Sequence, residues 1–203
     1  MCSLLFDFDG TLFDTEAGHE AAYLKTFLEF NLGECPPYES LKGIKTMEVF
    51  ARYQSVFQDT HKLAQYKSAS YQANLNQVKT LVDFNLLAQL IQKDFKLYIV
   101  TGGSRKSIDA LLDLHQVRDL FQGIVTAEDY GASKPDPEPF LHGIRTYDIQ
   151  GEVQGIEDSI QGIQSLKAAQ VRAVGVHNPV IESLSDVYYP SINTYLMELI
   201  QTR

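Results

Sequence analysis

Ser3-Leu4-Leu5-Phe6-Asp7-Phe8-Asp9-Gly10-Thr11 is the stretch on which the reading of the chain turns. An apolar run leads into two aspartates one residue apart. In an extended chain the side chains alternate, so Asp7 and Asp9 project to one side while Phe6 and Phe8 face the other. Two carboxylates held side by side repel each other unless a cation or a proton intervenes. That arrangement suits a divalent metal, or a nucleophile paired with an acid. Gly10 and Thr11 then end the strand. Taken alone, the pattern equally describes a strand end with two solvated acids, and the rest of the chain has to separate the two.

Around that stretch lie 203 residues, 44% of them hydrophobic, enough to bury a substantial core in one domain or in one domain with a small insert. The formal charge is −9, with 26 acidic residues against 17 Lys and Arg. The sequence has no basic run, so nucleic acid and anionic membrane are poor partners. An acidic protein that handles an anionic substrate needs local positive charge, from a metal or from a few placed Lys or Arg. Cys2 and Cys35 match no zinc spacing, and with no signal peptide at Met1 they read as reduced thiols of a cytoplasmic protein. No apolar run approaches the roughly 20 residues of a membrane span.

In chain order, residues 3–7 read as a buried strand. Residues 15–31 follow a helical pattern, with Thr15 as cap and Ala17, Ala21, Ala22, Leu24, Phe27 and Leu28 as the apolar stripe. Cys35-Pro36-Pro37 breaks the chain and Leu41 to Gly43 links to a second helix, capped by Thr46 and running to about Phe57. A third spans Thr60 to about Val78. Residues 15–79 are thus all helical and comparatively polar, a small lobe lying over something else. From Asp83 a helix leads to the β run Lys96–Val100, which stops at Thr101-Gly102-Gly103; Ser104 can cap the next helix, with Ile108, Leu111, Leu112 and Leu114 on its stripe. Residues 123–126 form a short strand. The prolines of Lys134-Pro135-Asp136-Pro137-Glu138-Pro139 exclude an internal helical turn but suit the first turn of a helix through Tyr147. Gln154-Gly155-Ile156 is a strand ending in Glu157-Asp158, and Ser159 caps a helix carrying Ile160, Ile163, Leu166 and Ala169. Residues 172–176 and 187–189 are further strands, and Ser191 caps a C-terminal helix. Alternating strands and helices with fully apolar strands mean an α/β fold, a doubly wound parallel sheet covered on both faces. The division expected is residues 1–14 and 80–203 for the sheet domain, with a helical cap, residues 15–79, inserted after the first strand.

Ligands of open parallel sheets sit at the carboxyl ends of the strands. Three β runs here end in Asp7 with Asp9, in Thr101 with Gly102, and in Glu157 with Asp158, and Lys134 lies in the loop between the last two. A strand-end threonine is often only a helix cap, and an acidic pair before serine often only complements a helix N-terminus. Four acids, a hydroxyl and a lysine at one sheet edge are a different matter, because uncompensated carboxylates would repel. A divalent cation is expected among them. A calcium EF-hand loop fails on spacing, since Gly10 comes too early.

With these residues in view the chain resembles the haloacid dehalogenase (HAD) superfamily of phosphatases, in the branch with a helical cap that includes β-phosphoglucomutase and phosphoglycolate phosphatase. Asp7-Phe8-Asp9-Gly10-Thr11, Ile99-Val100-Thr101-Gly102, Ser133-Lys134-Pro135 and Glu157-Asp158-Ser159 with Gly162 match the four family motifs in order. Leu41-Lys42-Gly43-Ile44 and Lys67 to Tyr71 loosely match segments of the β-phosphoglucomutase cap. The resemblance implies a Rossmann-like core and a Mg²⁺-dependent hydrolase that removes phosphate from a small phosphorylated metabolite. Asp7 would be the nucleophile that becomes an aspartyl-phosphate. Asp9 would be general acid and then base, its side chain keeping a proton because it need not touch the metal. Magnesium would be held by Asp7, the Asp9 carbonyl, Asp158, and Glu157 directly or through water. Thr101 and the Gly102 amide would hold phosphoryl oxygens, and Lys134 would offset the charge gathered there. His19 and Lys67 are candidates to reach substrate from the cap, and Arg105 to cover the phosphate. The alternatives are a sugar-phosphate mutase on the same site and a phospho-aspartate switch without turnover. A mutase must grip a second phosphate, and where phosphoglucomutase caps carry an arginine this chain has Thr46. Where relatives turn back to the core through Pro-Gly, it has Thr80-Leu81-Val82-Asp83-Phe84.

Overall fold

The structure, a computed structural model, describes residues 2–41 and 44–202. Its centre is β1 (Cys2–Phe6), buried along its whole length. β1 pairs in parallel with β4 (Phe95–Val100) on one side, Cys2 opposite Phe95, and with β6 (Glu152–Glu157) on the other, Cys2 opposite Glu152. Outside these lie β5 (Gly123–Val125), β7 (Arg172–Val176) and β8 (Val187–Tyr189), giving the order β5-β4-β1-β6-β7-β8, parallel throughout. Alternation along β1 sends Leu4 and Phe6 to one face and Leu5 to the other. Leu4 and Phe6 join an apolar cluster with Leu87 and Leu90 of α4 (Phe84–Gln92), Ile108 and Leu111 of α5 (Arg105–Leu114), and Ile192 and Leu196 of α8 (Ile192–Thr202). Leu5 joins Phe140 of α6 (Glu138–Thr146) with Ile163 and Leu166 of α7 (Ile160–Ala168). Burial on both faces is why the strands read as continuous apolar runs.

The polar lobe gathers around a separate aromatic cluster. Tyr23 and Phe27 of α1 (Glu16–Glu29), Val49 and Phe50 of α2 (Thr46–Ala51) and Leu63 of α3 (Thr60–Gln72) form it. The lobe leaves and rejoins the sheet through β2 (Phe13–Asp14) and β3 (Lys79–Thr80), which pair antiparallel. Past β3, the Leu81 amide donates to the Leu12 carbonyl at 2.9 Å and Asp83 caps α4 by accepting from Asn85 N–H at 2.9 Å. The chain therefore returns without a Pro-Gly turn.

Several local expectations are corrected. α1 stops at Glu29 because Asn31 takes a left-handed conformation, φ 49°. Thr46 is the first residue of α2 rather than its cap, and α2 ends at Ala51. α3 ends at Gln72, followed by a 3₁₀ turn at Leu75–Gln77 and then β3, where helix is expected. Leu24, Leu28, Leu114 and Ile160, placed on apolar stripes, are exposed. Lys42 and Gly43 of the expected link lie outside the described residues.

Candidate active site

The carboxyl ends of β1, β4 and β6 meet above the sheet centre, as the strand order requires. Asp7 follows β1, and its amide donates to the Ile156 carbonyl of β6 at 2.9 Å. Lys134 reaches in from the loop before α6. Its ammonium donates to Asp7 Oδ1 at 2.6 Å, Glu157 Oε1 at 2.6 Å and the Val100 carbonyl at 3.1 Å, and all three side chains are buried. Its three protons thus meet three acceptors. Burial opposes its charge, but Asp7 and Glu157 outweigh that and hold the ammonium well above its ordinary pKa. Asp7 moves up as well, through burial first and the negative charge of Glu157 second, with Lys134 pulling the other way.

Both oxygens of Glu157 are engaged. Oε1 takes Lys134, while Oε2 accepts from the Ser159 hydroxyl at 2.9 Å and from the amides of Asp158 and Ser159. Ser159 also caps α7, accepting from Gly162 N–H at 3.0 Å. Side-chain oxygens of Asp7, Glu157 and Asp158 lie within 4.8 Å of one another. Two glycines make room for them. A Cβ on Gly10, φ 84°, would sit 2.3 Å from Asp158 Oδ2, and one on Gly162 would sit 1.8 Å from the Glu157 carboxyl carbon.

Asp9 turns away from this cluster. Its Oδ1 accepts from the Thr15 hydroxyl at 2.7 Å and lies 3.2 Å from His19 Nε2. Lys67, buried beneath the rings of Tyr23 and Tyr71, places its ammonium 2.6 Å from His19 Nδ1. An ammonium only donates, so Nδ1 accepts and the proton of a neutral imidazole sits on Nε2, pointing at Asp9. Burial and the Lys67 charge lower the His19 pKa, in keeping with that neutral ring. Burial pushes the Asp9 carboxyl up, but His19, Thr15 and Lys67 together outweigh it and hold Asp9 below its ordinary value. In this arrangement the neighbours of Asp9 favour its anion. Thr15, read as a helix cap, makes no cap hydrogen bond and serves Asp9 instead.

A cavity of about 270 Å³ opens over Asp7, Asp9 and Asp158. His19, Lys67 and Tyr71 form its wall from the lobe, and Gly102, Gly103 and Ser104 from the sheet domain. Tyr71 stacks on His19 with ring centroids 4.0 Å apart, and its hydroxyl is buried without a hydrogen-bond partner. Thr101 is buried under the floor, its hydroxyl accepting from Gly103 N–H at 2.9 Å and so keeping its own proton free to donate. Arg105 does not line the cavity. Its guanidinium pairs with Asp129 at 2.6 Å and donates to the Ile124 carbonyl at 2.9 Å, so the expectation that it covers a phosphate is corrected. Sequence reasoning missed Tyr71 and Glu128 as cavity groups and Thr15 as the partner of Asp9, because nothing in their spacing separates a core ring, a surface acid or a cap from a site residue. Among the described residues no helix is long and apolar enough to cross a membrane.

A family profile described as haloacid dehalogenase-like hydrolase matches residues 4–176. β-Phosphoglucomutase of Bacillus subtilis is 27% identical over 191 residues, 87% of this chain and 83% of that protein. Fructose-1-phosphate phosphatase YqaB of Escherichia coli is 27% identical over 179 residues, 85% of this chain and 95% of that one. Among solved structures, β-phosphoglucomutase from Clostridium difficile superposes with a TM-score of 0.86 at 25% identity, covering 98% of this chain and 95% of its own.

Proposed function

The chain belongs to the haloacid dehalogenase-like hydrolase family, and from that premise we propose that it is a Mg²⁺-dependent phosphomonoesterase of small phosphorylated metabolites, acting through a phosphoryl group carried on Asp7. The observation that carries the reading is the pairing at the cavity floor. A buried carboxylate fixed by Lys134 lies beside a second carboxylate, Asp9, held by a different set of partners.

The donor set fits magnesium. Asp7, Glu157 and Asp158 offer only oxygens, and three carboxylates facing one lysine leave a net charge that a divalent cation balances. Asp7 and Asp158 would hold it directly, the Asp9 carbonyl would complete the protein's share, and Glu157, with both oxygens committed, would act through water. Bound there, the ion supplies charge neutralisation at Asp7 and at a phosphoryl oxygen.

In the first step Asp7 Oδ attacks phosphorus and the ester P–O bond breaks. The arriving phosphate dianion raises the pKa of Asp9, which takes up a proton from solvent and passes it to the departing alcohol. Lys134 and the Thr101 hydroxyl hold the charge that develops on the phosphoryl oxygens. Asp9 then takes a proton from water, the water attacks phosphorus, and the bond to Asp7 breaks to release phosphate. His19 and Lys67 keep Asp9 oriented throughout, so they act on catalysis by positioning it. Cys2 and Cys35 form no disulfide, which suits a reducing cytoplasm.

The test is phosphate release from a panel of phosphorylated metabolites, with Mg²⁺ and with chelator, wild type beside Asp7→Asn. Release is expected to need both Mg²⁺ and Asp7, and Asp7→Asn to lose at least about 10³-fold in kcat while remaining folded. Asp7→Asn with most of its activity left would remove Asp7 as nucleophile. Isomerised sugar phosphate without net release would move the assignment to the mutase, and a stable phosphorylated protein would move it to the switch.

A further inference from the structure

The wall of the cavity carries a charge that the proposed chemistry does not use. Glu128, in the loop after β5, lines the cavity beside Gly103 and Ser104. Both of its carboxylate oxygens accept from the Arg105 amide, at 3.2 and 3.1 Å, at the first residue of α5. A helix N-terminus favours an anion through its free N–H groups and its dipole. Here that place is already filled by an anion of the chain itself. The cationic groups nearby are engaged with other partners. The Arg105 guanidinium is spent on Asp129 and the Ile124 carbonyl. Lys45, the lysine of the lobe that lines this end, lies over the Tyr130 ring and donates to the Tyr130 and Gly131 carbonyls. No arginine among the described residues lines the cavity, and Glu16 adds a second carboxylate to its wall.

We propose that Glu128 is a specificity-determining residue: its carboxylate occupies the anion position at the start of α5 and excludes a second phosphate or carboxylate. The chain would then accept monophosphate esters whose remainder is uncharged. This rests on the phosphomonoesterase reading and narrows its substrate class.

The experiment measures binding and turnover separately. Calorimetry with Mg²⁺ present, on Asp7→Asn protein so that nothing is consumed, compares glucose 6-phosphate with glucose 1,6-bisphosphate. The comparison is repeated in Asp7→Asn/Glu128→Gln. Glutamine keeps an acceptor for the Arg105 amide and removes only the charge. The single variant is expected to favour the monophosphate, and Glu128→Gln to shift the ratio of the two affinities toward the bisphosphate by about tenfold, the size of a charge repulsion a few ångströms away in a partly solvated site. An unchanged ratio, a preference for the bisphosphate before Glu128 is altered, or no binding of either compound overturns the proposal. Phosphate release by the wild type is read in parallel. Its absence with a Glu128-dependent affinity ratio would sink the hydrolase reading and leave the specificity assignment standing.

Discussion

Lys67 is the residue at which function and stability oppose each other. Its ammonium is buried against Tyr23 and Tyr71, and burial lowers its pKa from 10.5 to about 8, with Asp9 only partly compensating. The sign follows from proton counting. Between about pH 8 and 10.5 the unfolded chain holds a proton that the folded chain has released, so stability rises with pH across that window. Below it the folded state carries a desolvated charge costing on the order of 3 kcal/mol. Lys67→Met removes that cost and places a thioether among aromatic rings, against about 1 kcal/mol for the lost hydrogen bond to His19. The variant is expected to melt about 5 °C above the wild type at pH 7, to lose that advantage toward pH 10, and to turn over more slowly because His19 no longer holds Asp9. Calorimetric melting at the two pH values decides it, and an equal or lower Tm at pH 7 would show that the ammonium is not a burden. The sequence made Asp7, Asp9, Thr101, Lys134 and Asp158 legible because each ends a strand or sits in a proline-marked loop. It could not reveal that Lys67 and His19 form one chain to Asp9, since they come from helices 48 positions apart whose facing depends on how the lobe docks.

At the scale of elements, the strands and the starts of the lobe's helices were legible, and the ends of those helices were not. Lys96–Val100 and Arg172–Val176 are short, β-branched and apolar, and the sheet forms them nearly as read. α3 carries so thin an apolar face that neither its end at Gln72 nor the two-residue strand after it left a periodic signal. What ties the lobe to the sheet domain is equally silent in sequence. Glu48 in α2 accepts from the Ser133 hydroxyl at 2.6 Å, and Lys45 just before α2 donates to the Gly131 carbonyl at 3.0 Å. Both contacts land on the loop that carries Lys134, so closing the lobe and seating the lysine are coupled. Removing them shifts the lobe toward an open state, and apparent affinity falls with the closed fraction. Lys45→Met/Glu48→Ala is expected to lower kcat/KM for phosphate release about tenfold while Tm moves by less than about 2 °C, because neither residue belongs to a buried core. Steady-state kinetics beside thermal melting checks this. Unchanged kcat/KM would mean that the lobe closes without these contacts.

For the whole molecule the governing fact is an acidic chain, charge −9, with its densest acid cluster buried rather than solvated. Asp7, Glu157 and Asp158 face one another with Lys134 as their cationic partner, and the strand order that brings β1 and β6 side by side leaves them no way apart. Folding without a cation therefore works against this repulsion, and a cation that binds only the assembled cluster is linked to global stability. At a Mg²⁺ concentration 100 times its Kd the gain is about 2.7 kcal/mol, which for a domain of this size raises Tm by about 5–10 °C. Asp158→Asn separates this from general screening. It removes one of the three carboxylates at nearly constant shape, so the metal-free variant is expected to melt at or above the wild type, and its response to Mg²⁺ to shrink to a small fraction of the wild-type shift. Calorimetric scans in chelator, in Mg²⁺ and in NaCl of equal ionic strength distinguish the cases. If NaCl reproduces the Mg²⁺ shift, the effect is screening of surface charge. If Asp158→Asn keeps the full shift, the ion binds elsewhere, and the buried cluster is held together by Lys134 and the protons it retains.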